Sequence, residues 1–143
     1  MHHRSKHHRR GLSLLELVIV TVIIGVLASI AVPSFHRALE QTRTDIAAAN
    51  LRAIWSAQRL YWLDNRAYAP DLATLQSLDL VDASVSNQQF FTYEIEAASA
   101  SGFSVWATRV ANSAWNGTLS IDQTGQVSGV LSAYGEGNIV PSY

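Results

Sequence analysis

The stretch Arg9-Arg10-Gly11-Leu12-Ser13-Leu14-Leu15-Glu16 decides how this chain is read: two arginines, a glycine, then an apolar run carrying a single carboxylate. After Glu16 the sequence continues Leu17-Val18-Ile19-Val20-Thr21-Val22-Ile23-Ile24-Gly25-Val26-Leu27-Ala28-Ser29-Ile30-Ala31-Val32 and meets no further charge until Arg37. As a helix, Leu12 to Val32 rises about 32 Å, enough to cross a hydrocarbon core of about 30 Å. A carboxylate in such a segment costs roughly 2.5–3.5 kcal/mol at the bilayer centre and less near an edge, where Glu16 falls. A group held there against that cost is expected to have a partner.

Composition bounds the rest. A length of 143 residues allows one small domain beside the apolar segment, which inflates the apolar fraction to 48%. The formal charge of −1 hides an asymmetry, because Arg4, Lys6, Arg9 and Arg10 all precede Leu12, together with His2, His3, His7 and His8. Beyond residue 11, six basic side chains face eleven acidic ones, which argues against generic binding of a phosphate backbone. The basic cluster ahead of the apolar run predicts a cytoplasmic amino terminus, with everything after Val32 translocated. The His-His pairs are broken by Arg-Ser-Lys and make a poor metal site, so a solvated basic leader is the better reading. With no cysteine, the domain has to rest on apolar packing.

Residues Arg10 to about Phe35 resemble the class III signal of type IV prepilins and the related pseudopilins; the remainder is similar in layout only. The resemblance implies that a prepilin peptidase cuts after Gly11 and that Leu12 becomes an N-methylated first residue, although phenylalanine is usual there. Glu16 then stands fifth in the mature chain, where the family carries its glutamate, and Gly25 and Pro33 fall where many members have a helix glycine and a proline. The expected divisions are a leader over 1–11, a transmembrane and assembly half-helix over 12–33, and a globular head over 34–143. The resemblance also supplies a partner for Glu16, the new α-amine of Leu12 on a neighbouring subunit. Low dielectric strengthens such a pair and penalises a missing partner, so it can set the axial register of stacked helices. A tolerated interfacial carboxylate is the plainer alternative. Many members close a carboxy-terminal loop with a disulfide, which this chain lacks the cysteines to do.

Periodicity leads to an α+β architecture. Leu12 to about Asp64 reads as one helix, bent near Ser29–Pro33 because Pro33 removes an amide donor and crowds the carbonyl four residues back. Ala47, Leu51, Ile54, Gln58 and Tyr61 recur at helical spacing, while the arginines at 37, 43, 52, 59 and 66 look spread around the helix. A short helical turn is expected near Asp71–Ser77, with Leu72, Leu75, Leu78 and Leu80 reaching the core. Strands are expected at Phe90–Glu96 and Phe103–Thr108, then from Asn116-Gly117 to Ile121 and over Gln126–Val130, with Asp122-Gln123-Thr124-Gly125 as a tight turn. The tail from Leu131 reads as irregular. A long helix packed on an antiparallel sheet of three to four strands is the ladle that the family resemblance also implies. The sheet's apolar face would hold Phe91, Tyr93, Ile95, Phe103, Val105, Leu119 and Ile121.

No enzymatic constellation is visible. His36 is the one histidine beyond the leader, no serine sits in a Gly-x-Ser-x-Gly or Ser-x-x-Lys motif, and no cofactor is implied. Asp64, Asp71, Asp79 and Asp82 fit helix ends and turns. Some pseudopilins bind calcium in a carboxy-terminal loop, but here Asp122 and Glu136 are too few for an oxygen cage. Asn116-Gly117-Thr118 fits a glycosylation sequon yet reads better as a turn. Gly25 and Ser29 could form a close helix-packing surface. Trp106, on the polar side of its strand, and Trp115, in a loop, could meet a neighbouring subunit or complete the core.

The leading expectation is a structural subunit of a type IV pilus or similar filament, serving motility, adhesion or DNA uptake. Its partners would be itself, other pilins, the prepilin peptidase and an inner-membrane assembly platform. It would span the inner membrane once before joining an extracellular pilus or a periplasmic filament. A pseudopilin of a type II secretion piston is the alternative. A domain secreted through a general signal peptidase, or one left on a membrane anchor, fits less well, because Glu16 interrupts the apolar region and Pro33 follows Ser29-Ile30-Ala31-Val32.

Overall fold

The computed structural model describes residues 13–110 and 114–142, so the leader, Gly11 and Leu12 lie outside the described residues. The chain forms two compact units, Met1–Arg37 and Ala38–Tyr143. Helix α1, Leu14–Asn65, contributes residues to both. In the first unit its apolar side chains are exposed along the whole run from Leu14 to Val32. An 18-residue window of α1 reaches a mean hydropathy of 2.7 with nothing buried, which by length and composition suits a membrane span. Helix α1 runs through Pro33 without a break.

The second unit is a two-layer α/β head. After α1 come a short helix α2, Leu72–Ser77, a 3-10 turn at Ala83–Val85, and strands β1 (Phe91–Ala98), β2 (Phe103–Arg109), β3 (Trp115–Asp122) and β4 (Val127–Ala133). The strands form one antiparallel meander in the order β1-β2-β3-β4. Alternation fixes its two faces. Phe91, Phe103, Val105, Ala107, Leu119, Ile121 and Leu131 point inward and share a core with Ala47, Leu51, Ile54 and Ala57 of α1. Tyr93 and Ile95 are only partly buried on the same face.

The polar interruption of the α1 stripe has a defined use. Gln58 is fully buried and spans the backbone of Ala69, donating to its carbonyl at 2.9 Å and accepting from its amide at 2.7 Å. It thereby closes the loop after α1 onto the helix. The following turns are built by aspartates: Asp71 caps α2 through the Thr74 amide, and Asp82 caps the 3-10 turn through that of Ser84.

Several expectations need correction. Trp115 is not in a loop; it opens β3 and is buried in the core, one residue before the expected start of the strand. Asn116-Gly117-Thr118 is strand rather than turn. Gly117 has φ +146°, and a Cβ there would run into the Val130 carbonyl, so the glycine permits close approach of β4. Gly129, with φ +113°, does the same towards Thr118, and β4 runs on to Ala133 instead of ending at Val130. Leu78 stays exposed because it caps the end of α2, while Leu75 alone of the four leucines is fully buried. The tail is not wholly irregular: Leu131 and Ile139 exchange both backbone hydrogen bonds, and Ile139 is buried.

Candidate assembly site

In the apolar unit, the hydroxyls settle their own hydrogen bonds. Thr21, Ser29 and Ser34 each donate to the carbonyl three residues back, on Val18, Val26 and Ala31, at 2.7–2.9 Å. None of them therefore needs an outside partner in lipid. Among the described residues from Leu14 to Val32, Glu16 is the one with a formal charge. It is exposed and lies in the first turn of α1, where the helix dipole favours an anion. Ser13, just ahead of the helix, stands three residues before Glu16, the spacing of a capping box. Gly25 leaves open space at its Cβ position, so a neighbouring helix could approach there. Leu12, the other half of the expected pair, is outside the described residues.

One end of the second unit is held by charge. Glu40 is 1% exposed and Arg109 5%. Arg109 donates through Nε to Glu40 Oε1 at 2.5 Å and through Nη2 to Oε2 at 3.2 Å, a bidentate pair between α1 and β2. Its Nη1 donates to the Phe90 carbonyl at 2.9 Å. Arg43 adds a bond to Glu40 Oε2 at 3.0 Å and lies 4.0 Å from the centre of the Phe90 ring. Beside this node the tail is clasped to the helix. Asp45 accepts from the Ser142 amide (2.9 Å) and hydroxyl (2.7 Å), and Gln41 donates to Asp45 and to the Val140 carbonyl. Burial alone would raise the Asp45 carboxyl, but the bonds from Ser142 and Gln41 outweigh it and hold the group below the ordinary value of 3.8. Nothing in the local sequence marks Glu40, Asp45 or Arg109. A carboxylate three residues before Arg43 reads as an exposed helix pair until its partner 69 residues away is known.

The far end of α1 gathers arginine and tryptophan side chains. Arg52 and Arg59 stand seven apart on one side of α1, Arg66 follows just beyond its end, and Trp55 and Trp62 are interleaved with them. The guanidinium of Arg59 lies 4.9 Å from the centre of Trp55, and that of Arg66 5.3 Å from Trp62. The indole N–H groups are already used, by the carbonyls of Gln123 (3.2 Å) and Ala100 (2.9 Å), which fixes both rings against the sheet's turns. With Leu60, Leu63 and Tyr68 they line an open groove of about 640 Å³. Near the β3–β4 turn, Asp122 is occupied by the amide and hydroxyl of Thr124, at 2.8 and 2.5 Å. Among the described residues, no three His, Cys, Asp or Glu side chains group as metal ligands would.

Comparison with known proteins agrees with the amino-terminal reading. Residues 6–32 match the family model for the prokaryotic N-terminal methylation motif. The chain is 36% identical over 66 residues to the type IV major pilin protein PilA of Myxococcus xanthus, covering 46% of this chain and 30% of that protein. It is 29% identical over 106 residues to the type IV wide pilus major component PilA4 of Thermus thermophilus, covering 74% and 78%. With the type II secretion system core protein G of Escherichia coli it shares 39% identity over 75 residues, 52% of each chain. Apart from PilA4, these matches span about half or less of the relative's own length.

Proposed function

Because the chain belongs to the type IV pilin and pseudopilin family, we propose that it is a structural, non-catalytic subunit of a type IV pilus or a closely similar filament. In this reading residues 1–11 are a leader cut off after Gly11 by a prepilin peptidase, and Leu12 becomes the N-methylated first residue. The apolar half of α1 holds the subunit in the inner membrane, amino terminus inside and head outside, until an assembly platform feeds it into the filament. There the helices of this and other pilins pack together, with a bend at Pro33 adjusting the helix to its neighbours.

The observation that carries the proposal is Glu16: a lone formal charge in a lipid-length helix whose hydroxyls satisfy themselves. Cleavage next to Gly11 creates a positive α-amine, and Glu16 of the adjacent subunit neutralises it. In a low dielectric, a mismatch of one position leaves two charges unpaired, so the pair selects a single axial stagger. The test is Glu16→Ala in cells that make the filament. Membrane insertion should persist while the yield of sheared filaments falls steeply; normal incorporation would overturn the proposal. Mass spectrometry of filament protein should find a chain beginning at methylated Leu12.

The second reading, a pseudopilin of a type II secretion piston, is supported by relatives named as core protein G. The pilus is preferred because the carboxy-terminal region carries few carboxylates, Asp122 and Glu136. Loss of twitching or DNA uptake on deletion fits a pilus; loss of exoprotein release fits a piston.

A further inference from the structure

Residues 38–143 contain five arginines and ten acidic side chains, and the positive charge is sharply partitioned. Arg43 and Arg109 are engaged with Glu40. Arg52 and Arg59 on the last third of α1, with Arg66 just beyond its end, make up the stripe with Trp55 and Trp62. Arg59, Leu60, Leu63 and Arg66 are exposed there. The outer face of the sheet has the opposite character. Glu94 pairs in register with Trp106, Trp106 with Ser120, and Ser120 with Ser128. Glu94 and Glu96 are exposed, Trp106 is 43% exposed, and no basic residue shares this face.

We propose that the arginine–tryptophan stripe of one head docks on the Glu94, Glu96 and Trp106 face of a second copy of this chain. This rests on the filament reading above. Charge complementarity selects the occupant. Guanidiniums already seated on indoles present flat cations that suit carboxylates and a further aromatic ring. The chain's own sheet face, with Glu94, Glu96 and Trp106 exposed, offers such a surface. The two patches lie on opposite layers of the head, so the contact is heterologous: each copy uses one patch and offers the other, and the array stays open instead of closing into a dimer. A polyanion could also suit the stripe, but the head's excess of acids opposes its approach.

The test is charge exchange in the full-length chain in its native membrane. Arg59→Glu with Arg66→Glu, and separately Glu94→Arg with Glu96→Arg, should each lower sheared-filament yield about tenfold. Combining all four substitutions should restore it. Tryptophan fluorescence and thermal unfolding of the detergent-solubilised chains establish that each variant folds. Because the chain has no cysteine, subunits carrying Arg59→Cys co-expressed with subunits carrying Glu94→Cys should also give disulfide-linked dimers in filaments. Normal yield in both double variants, or no recovery in the fourfold variant while it folds, overturns the proposal. Loss of binding to a labelled oligonucleotide at unchanged filament yield in Arg59→Glu/Arg66→Glu would assign the stripe to a polyanion and equally overturn it. Glu16→Ala run alongside separates the two ideas, since normal assembly of that variant defeats the filament mechanism irrespective of the charge exchange.

Discussion

Glu40 on α1 and Arg109 at the end of β2 meet as a buried bidentate ion pair, with Arg109 Nε 2.5 Å from Glu40 Oε1 and both side chains 2% exposed. The pair joins the two layers of the head, α1 and the sheet. Taking two charges out of water costs several kcal/mol for each, and close geometry with further bonds from Arg43 and to the Phe90 carbonyl offsets that cost. Breaking the pair is therefore far worse than never having it.

Arg109→Ala should destabilise the head by about 3–5 kcal/mol, because Glu40 is left buried with only Arg43 to answer it. The double variant Glu40→Leu/Arg109→Met should recover most of the loss. Chemical unfolding of the detergent-solubilised chain, followed by tryptophan fluorescence, measures both; equal losses in the single and double variants would show that packing, not charge, holds this end.

The tail clasp should respond to acid. The folded-state pKa of Asp45 is lowered, so its contribution is present above the ordinary value of 3.8 and is lost as pH falls below it through the folded value. Asp45→Asn should cost about 1 kcal/mol at neutral pH. The difference from the parent should vanish in acid, and hydrogen exchange at the Ser142 amide reads the opening directly.

Gln58→Leu should cost about 1–3 kcal/mol for each of the two Ala69 backbone groups it orphans, despite adding apolar surface at a core position. A midpoint of chemical unfolding no lower than that of the parent would mean that the loop after α1 has found water.

Gly117→Ala is expected to lower thermal stability more than a typical surface change. Its φ of +146° disfavours any L side chain, and the Val130 backbone occupies the space a methyl would need. Ser132→Ala, exposed on the paired strand, serves as the control and should be near neutral.

Local order was readable from the chain because it depends on neighbours a few residues apart. The apolar run, the stripe through Ala47, Leu51 and Ile54, and the alternation of Phe103, Val105 and Ala107 all lie at the helical or strand period, and the structure places them accordingly. Asp71 and Asp82 gave the turns for the same reason. The arginine–tryptophan stripe was equally present in the spacing of residues 52, 55, 59, 62 and 66, and counting by sevens would have found it.

What the sequence by itself determined was therefore the lipid-length helix with its one acid, the α+β order of elements and most of the core, since periodicity is a local property. Only the tertiary structure decided that Glu40 answers Arg109, that Asp45 holds Ser142, that Trp115 is core and that Trp106 is surface. Those outcomes depend on strand register and on groups 69 or 97 residues apart coming within hydrogen-bond reach. A polar residue on a helix gives no local sign of whether its partner will be water or a distant charge. That choice is made when the sheet closes over α1 and removes the water.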